Sequence, residues 1–166
     1  NTFENNSAYN NSNNGFSIGY LSNNATLANN LAYDNVNGFS TYGSDYITFT
    51  NNSAFNNSNY GFNIYSNFNN LANNSAYGNL AAGIYLYASG VNQISGNSIL
   101  NNSQYGVYIL QSSNGNNLAN NTACGNPSSD ILISTSTGNT GDGNVCTTAS
   151  GYNDAGSPAN SCTMLC

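Results

Sequence analysis

The chain has 166 residues, six of them acidic and none of them Lys, Arg or His, giving a formal charge of −6. Its polarity comes mainly from neutral amides, 39 of them Asn. Without cations it has no means to neutralise phosphates, read base edges or attach to anionic lipid, so no nucleic-acid or membrane-surface partner is expected.

No run approaches the roughly 18 apolar residues of a membrane span, so direct membrane insertion is not expected either. No basic-then-apolar leader stands at Asn1. Few side chains change protonation near neutral pH, and proton-transfer chemistry is poorly supplied.

The Asn content is periodic. Successive Asn pairs or their equivalents end at Asn6, Asn30, Asn52, Asn74, Asn97, Asn121 and Asn144, at spacings of 24, 22, 22, 23, 24 and 23 residues. A period of this length marks a solenoid. In chain order, the first coil carries apolar Phe3, then Ala8, Asn11, Gly15 and the strand Phe16, Ser17, Ile18. The second repeats this with Leu27, Ala32, Asn35, Gly38 and Phe39, Ser40, Thr41, and the third with Phe49, Ala54, Asn57, Gly61 and Phe62, Asn63, Ile64. The fourth has Leu71, Ala76, Asn79, Gly83 and Ile84, Tyr85, Leu86; the fifth has Ile94, Ile99, Asn102, Gly106 and Val107, Tyr108, Ile109. The sixth has Leu118, Ala123 and Asn126, with Asp130 in the glycine column before Ile131, Leu132, Ile133.

In each strand the outer members are mainly apolar and the middle one mainly polar or Tyr, the period of two of a strand with one buried face. Three short faces per coil follow, with each strand about 4.8 Å above its predecessor. No coil holds the 3.6-period segment a βαβ unit needs. Asn tolerates left-handed backbone and can stack amide on amide, so its columns read as corner structure and not as ligand sites. The expected fold is all-β, a single-stranded parallel β-helix of about six coils of 22–24 residues, with residues 1–143 in the solenoid and 144–166 in a cysteine-bearing cap or tail.

The run Asn51, Asn52, Ser53, Ala54, Phe55, Asn56, Asn57, followed by Gly61, Phe62, Asn63 and Ile64, resembles the parallel β-helix repeats of the NosD-like and pectate-lyase-like superfamily, in its Asn-rich archaeal or bacterial surface form. The resemblance implies a right-handed coil. It leaves function open, because that scaffold carries lyases, hydrolases, adhesins and fibres.

Cys124, Cys146, Cys162 and Cys166 all fall in the last quarter of the chain. An even count without His favours disulfides and an oxidising, extracellular or cell-surface location over a metal site. Three pairings are open; the one-coil spacing favours Cys124 with Cys146 and Cys162 with Cys166. Acceptor tripeptides for glycosylation begin at Asn5, Asn10, Asn24, Asn51, Asn56, Asn73, Asn101 and Asn120.

A lyase or hydrolase would need a basic group or two carboxylates close together, and the six acids share no register on adjacent coils. The chain is therefore expected to be non-enzymatic, with no cofactor and no metal. Phe3, Tyr9, Tyr33, Phe55 and Tyr77 form a candidate interaction surface for protein or for surface glycans. Because Asn1–Asn6 already occupies repeat positions, the first coil would expose its edge, and the expected cover is another copy of the chain, giving a self-assembling extracellular fibre.

Overall fold

The computed structural model describes residues 1–158 and 161–166. Among the described residues, twenty short strands wind into three sheets whose ladders are all parallel. The first sheet stacks Thr2–Glu4, Thr26–Ala28, Thr48–Thr50, Asn70–Ala72, Gln93–Ser95, Asn117–Ala119 and Thr140–Asp142. The second stacks Ser7–Tyr9, Leu31–Tyr33, Ser53–Phe55, Ser75–Tyr77, Ser98–Leu100 and Thr122–Cys124. The third stacks Asn14–Gly19, Asn37–Tyr42, Phe62–Tyr65, Ala82–Tyr87, Tyr105–Leu110, Ser129–Ile133 and Ala149–Ser150. The expected parallel β-helix of about six coils is the observed fold.

From Thr26–Ala28 to Thr122–Cys124 each three-residue strand buries its middle side chain, which puts Leu27, Phe49, Leu71, Ile94 and Leu118 in one inward column. Phe16, Phe39 and Phe62 stack in the third sheet at 5.0 and 4.9 Å, and Phe49 meets Phe39 edge-on. Facing them, the second sheet offers only Ala32, Ala54 and Ala76 until coil five, where Ile99 takes the alanine position. In that coil the third sheet carries Val107, smaller than Ile84 before it and Ile131 after it. Volume lost on one wall is replaced on another, as a close-packed core requires. The glycine column has the same cause: a Cβ on Gly61 would lie 2.6 Å from the Gly83 carbonyl oxygen and 3.0 Å from Asn79 Nδ2.

Three ladders of inward Asn side chains hold the corners. In the first, each Asn gives its backbone N–H and its Nδ2–H to Oδ1 of the Asn one coil on, from Asn6 through Asn30, Asn52, Asn74, Asn97 and Asn121 to Asn144. The second ladder runs from Asn11 through Asn35, Asn57, Asn79 and Asn102 to Asn126 by the same bonds. The third is shorter, Asn69, Asn92, Asn116 and Asn139. The buried amides of the two long ladders are thereby satisfied without water.

A ladder that hands its donors forward needs an acceptor at its far end. Asp130 supplies it for the second: its Oδ1 accepts from Asn126 N and Nδ2, and its Oδ2 from the N–H groups of Thr147 and Thr148. This explains an acid in the glycine column, for its carboxylate fills the place of the absent next Asn. Fully buried Asp154 ends the first ladder, accepting from Asn144 N at 2.8 Å and Asn144 Nδ2 at 2.7 Å. Thr163 N and Oγ1 also donate to it at 2.7 Å, as does the Tyr152 hydroxyl. The third ladder has no carboxylate at its end, and Asn139 Nδ2 is buried without a partner among the described residues.

The solenoid continues past Gly143: Asn144 ends a ladder, Val145 bridges Thr122, and Met164 bridges Val145 as a further rung. Two disulfides pin this segment, and they pair Cys124 with Cys166 and Cys146 with Cys162. The expected pairing of Cys124 with Cys146 and Cys162 with Cys166 is corrected. The spacing of 22 residues is near one coil but one residue out of column, since Thr122 pairs with Val145. Cys146 therefore points into the core, whereas Cys124 ends the outward column of Tyr77 and Leu100. Side chains on opposite faces of a sheet cannot meet.

At each corner the residue before the inward ladder position is left-handed. At the first corner it is Asn5, Asn29, Asn51, Asn73, Gly96, Asn120 or Gly143, and at the second Asn10, Asp34, Asn56, Gly78, Asn101 or Gly125. At the third corner it is Asn24, Tyr46, Phe68, Val91, Gly115 or Gly138.

Candidate functional site

The eight acceptor tripeptides all start at left-handed corner residues, and all eight Asn are exposed. The coil grammar generates them: a left-handed Asn, then an inward residue, and in most cases a Ser or Thr that opens the next strand. Asn56, Asn73, Asn101 and Asn120 lie over Gly78, Gly96, Gly125 and Gly143 of the following coil, which accounts for the glycines there.

Tyr9, Tyr33, Phe55 and Tyr77 form one outward column on the second sheet. Their rings stack at 5.0, 4.9 and 4.9 Å, within 9° of parallel. Each ring face is covered by its neighbour, so the column offers edges and hydroxyls to solvent and spends its faces on coil-to-coil packing. Phe3 lies apart from it, in the first strand of the first sheet and in register with Leu27.

A second aromatic field lies on the outer face of the third sheet, where strand alternation in the sequence already turns Tyr65, Tyr85, Tyr87 and Tyr108 outward. Alternation turns Tyr85 and Tyr108 outward above Asn63, and the strand ends add Tyr42, Tyr65 and Tyr87 in register. Tyr20, Tyr60 and Tyr105 complete it, so eight of the chain's 13 tyrosines meet on this face and its margins. Most of these contacts are tilted or edge-on: Tyr65 to Tyr87 at 34°, Tyr85 to Tyr108 at 63°, Tyr42 to Tyr65 at 52° and Tyr20 to Tyr42 at 75°. Tyr60 lies flat on Tyr85 at 4.2 Å, and Tyr87 is stacked against it more loosely, at 6.2 Å and 29°. Tyr85 at the centre is buried, Tyr60, Tyr65, Tyr87, Tyr105 and Tyr108 around it are half-buried, and Tyr20 and Tyr42 at the margin are exposed. Asn63 Oδ1, buried beneath these rings, has no donor among the described residues. The signal that could have found the field as a whole was the Tyr at the middle and end of successive third-sheet strands.

Burial, reinforced by the neighbouring phenols of Tyr60 and Tyr65, pushes the Tyr85 hydroxyl well above the usual tyrosine range. Burial also raises Tyr60 and Tyr65, against an opposing hydrogen bond from Tyr85 in each case. At neutral pH these groups are protonated and serve as hydrogen-bond donors and acceptors, not as bases.

A pocket of about 330 Å³ at the C-terminal end is lined by Gly125, Asn126, Pro127, Asp130, Thr147 and Thr148. Both Asp130 oxygens are already engaged in capping. Among the described residues no group of three or more His, Cys, Asp or Glu could hold a metal ion, and no helix could cross a membrane.

The chain belongs to the right-handed β-helix family: the family description "Right handed beta helix region" matches residues 1–123 and 65–146. The handedness implied by the repeat resemblance is that of the family. Among solved structures, the A-module of the Azotobacter vinelandii mannuronan C-5 epimerase AlgE4 superposes over 99% of this chain and 52% of its own, with a TM-score of 0.74 at 20% identity. The AlgE6 A-module of the same organism matches 99% and 51%, with a TM-score of 0.74 at 19% identity. The chain thus spans about half the length of each. A comparison with curated proteins gave no sequence match.

These findings correct the expectation of a structural protein that polymerises as a fibre. The same coil stack, over nearly the whole chain, belongs in both neighbours to an enzyme module, so stacked coils are no sign of filament assembly. The C-terminal end is moreover occupied by its own chain, where Met164 pairs with Val145 and Asp154 closes an Asn ladder. The two disulfides agree with an oxidising, non-cytoplasmic compartment.

Proposed function

We propose that this chain is a polysaccharide-binding β-helix module, secreted or held at the cell surface, whose binding face is the outer side of the third sheet. The observation that carries the reading is the tyrosine field. The exposed rings of Tyr20 and Tyr42 and the half-buried rings beside them suit the C–H faces of sugar rings, while their protonated hydroxyls suit sugar hydroxyls. The neighbours support it to the extent that their names record action on a polysaccharide, mannuronan.

The reading is non-catalytic. Asp130 and Asp154 are committed to capping, and Tyr85 is held protonated. The face offers contact area and hydrogen bonds, not a proton acceptor.

Affinity electrophoresis tests this, with native gels cast with and without soluble glucan, mannan, xylan or polymannuronate. The wild-type chain is expected to be retarded by at least one polymer, and Tyr65→Ala with Tyr108→Ala to abolish the retardation while circular dichroism stays unchanged. Unretarded wild-type protein across the panel would overturn the reading. On intact protein, mass before and after deglycosylation reads whether the exposed acceptor Asn carry glycans.

A further inference from the structure

The left-handed corner position has an internal standard. At the first two corners it is held by Asn, Asp or Gly alone, the residues that take this backbone with least strain. At the third corner three consecutive coils carry apolar residues at this position, Tyr46, Phe68 and Val91, at φ of 62°, 57° and 58°, in a set of turns that also holds left-handed Tyr20, Leu21, Ala88, Gln111, Ser112 and Thr135 at other positions. Their backbone N–H groups bond to the carbonyls of Asn67, Gly90 and Asn114 in the next coil, so the solenoid imposes the conformation and the side chain does not choose it. For a β-branched Val it is a particular strain.

Burial gives no compensation, because Tyr46, Phe68 and Val91 are 53%, 44% and 48% exposed. Tyr46 stacks on Phe68 at 5.0 Å, and Val91 extends the strip by one coil with no ring to stack. Apolar side chains that are neither locally favoured nor buried, in three successive coils, mark a surface kept for contact. The strip borders the tyrosine field, since Tyr42 and Tyr46, Tyr65 and Phe68, and Tyr87 and Val91 stand at the two ends of the same turns.

We propose that Tyr46, Phe68 and Val91 form the apolar wall of the glycan site and that its ligand is an uncharged polysaccharide lying along the solenoid axis; this rests on the polysaccharide reading above. The axial direction follows from the strip, which repeats once per coil. The ligand's lack of charge follows from composition: no Lys, Arg or His exists to pair with a carboxylate or sulfate, and the chain carries −6. The acid in this wall, Asp45, adds negative charge, with its Oδ1 accepting from Asn67 N.

The test replaces all three with Asn, the residue the same backbone carries elsewhere, as Tyr46→Asn, Phe68→Asn and Val91→Asn together, with Val91→Gly alone as a second variant. Melting temperature is expected to hold or rise in both. Affinity for the neutral polymer that retards wild type should fall at least about tenfold in the triple variant, the worth of a few aromatic and apolar contacts. Lower melting temperatures in both variants would assign the strip to coil packing and overturn the proposal. Unchanged affinity would do the same, as would a change confined to oligomeric state, which would indicate a self-contact. Wild-type binding to polymannuronate as tight as to a neutral polymer would overturn the assignment of charge. Failure of wild type to bind any polymer would instead remove the parent reading, and the two failures are distinguishable.

Discussion

Replacing Asp154 by Asn changes one oxygen for an NH2 at the end of the longest amide ladder. Oδ1 would still accept from Asn144 Nδ2 and Tyr152, but the amino group would face three donors: Asn144 N, Thr163 N and Thr163 Oγ1. The hydroxyl can rotate away; the two backbone N–H groups cannot. Each buried donor without an acceptor costs about 1–3 kcal/mol, so the substitution should cost about 2–6 kcal/mol, a large part of a typical stability of about 5–15 kcal/mol. Urea unfolding followed by circular dichroism measures it, and hydrogen exchange at Asn144 and Asn121 localises it. Asp142→Asn is the control, since that exposed side chain accepts mainly from its own neighbour, Gly143 N, and should stay within about 0.5–1 kcal/mol.

The same group sets a pH dependence. Burial works to raise the Asp154 carboxyl, and hydrogen bonds from Tyr152, Asn144 and Thr163 outweigh it, leaving the pKa below its ordinary value of 3.8. A depressed folded pKa gives stability that is fully present above 3.8 and is lost as pH falls through the lower, folded value. Wild type should therefore loosen at its C-terminal end in that acid window, and Asp154→Asn should lack this component. An unfolding midpoint and acid profile unchanged by the substitution would refute the capping argument.

Asn79→Ala, in mid-ladder, removes bonds to Asn102 Oδ1 and the Ala54 carbonyl and leaves the donors of Asn57 unanswered, and calorimetry should read a loss of about 3 kcal/mol. Gly61→Ala should cost about 1–3 kcal/mol in the same assay because of its contact with the Gly83 carbonyl, whereas Gly19→Ala, with nothing within 4 Å, should be near neutral. Peptide mapping under non-reducing conditions should recover Cys124 with Cys166 and Cys146 with Cys162. Opening the first by Ser substitution should destabilise by about 4 kcal/mol and opening the second by about 3 kcal/mol, following their sequence separations of 42 and 16.

The coils were legible in the sequence because each structural demand recurs about every 23 residues: an apolar wall at Leu27 and its kin, a glycine where carbonyls crowd, an Asn at each corner. What was not legible depends on ends and on parity. Asp130 was visible as an oddity in the glycine column, yet its role emerges only once the ladder is seen to hand donors forward and need a final acceptor. Asp154, beyond the last repeat, has no column at all. The disulfides were misjudged by one residue, since a single step along a strand reverses the face. The tyrosine field was legible only in part, through the outward alternation of Tyr65, Tyr85, Tyr87 and Tyr108, for a related reason. Its members come from two outward columns and from the flanks of different strands, and only the stacked coils bring Tyr60 onto Tyr85.

Every amide in the two long ladders points the same way, with its oxygen toward the coil before and its nitrogen toward the coil after. Aligned dipoles add along the axis, so the barrel has a negative and a positive pole, as a helix does, although it contains no helix among the described residues. The two carboxylates that end these ladders both sit at the positive pole, where an anion is held by the field as well as by its bonds. In this solenoid they are the counterpart of an acidic residue at a helix N-terminus. The polarity makes the two ends chemically unlike: one can be closed only by donors, the other only by acceptors, and a coil added in the middle leaves both terminations intact.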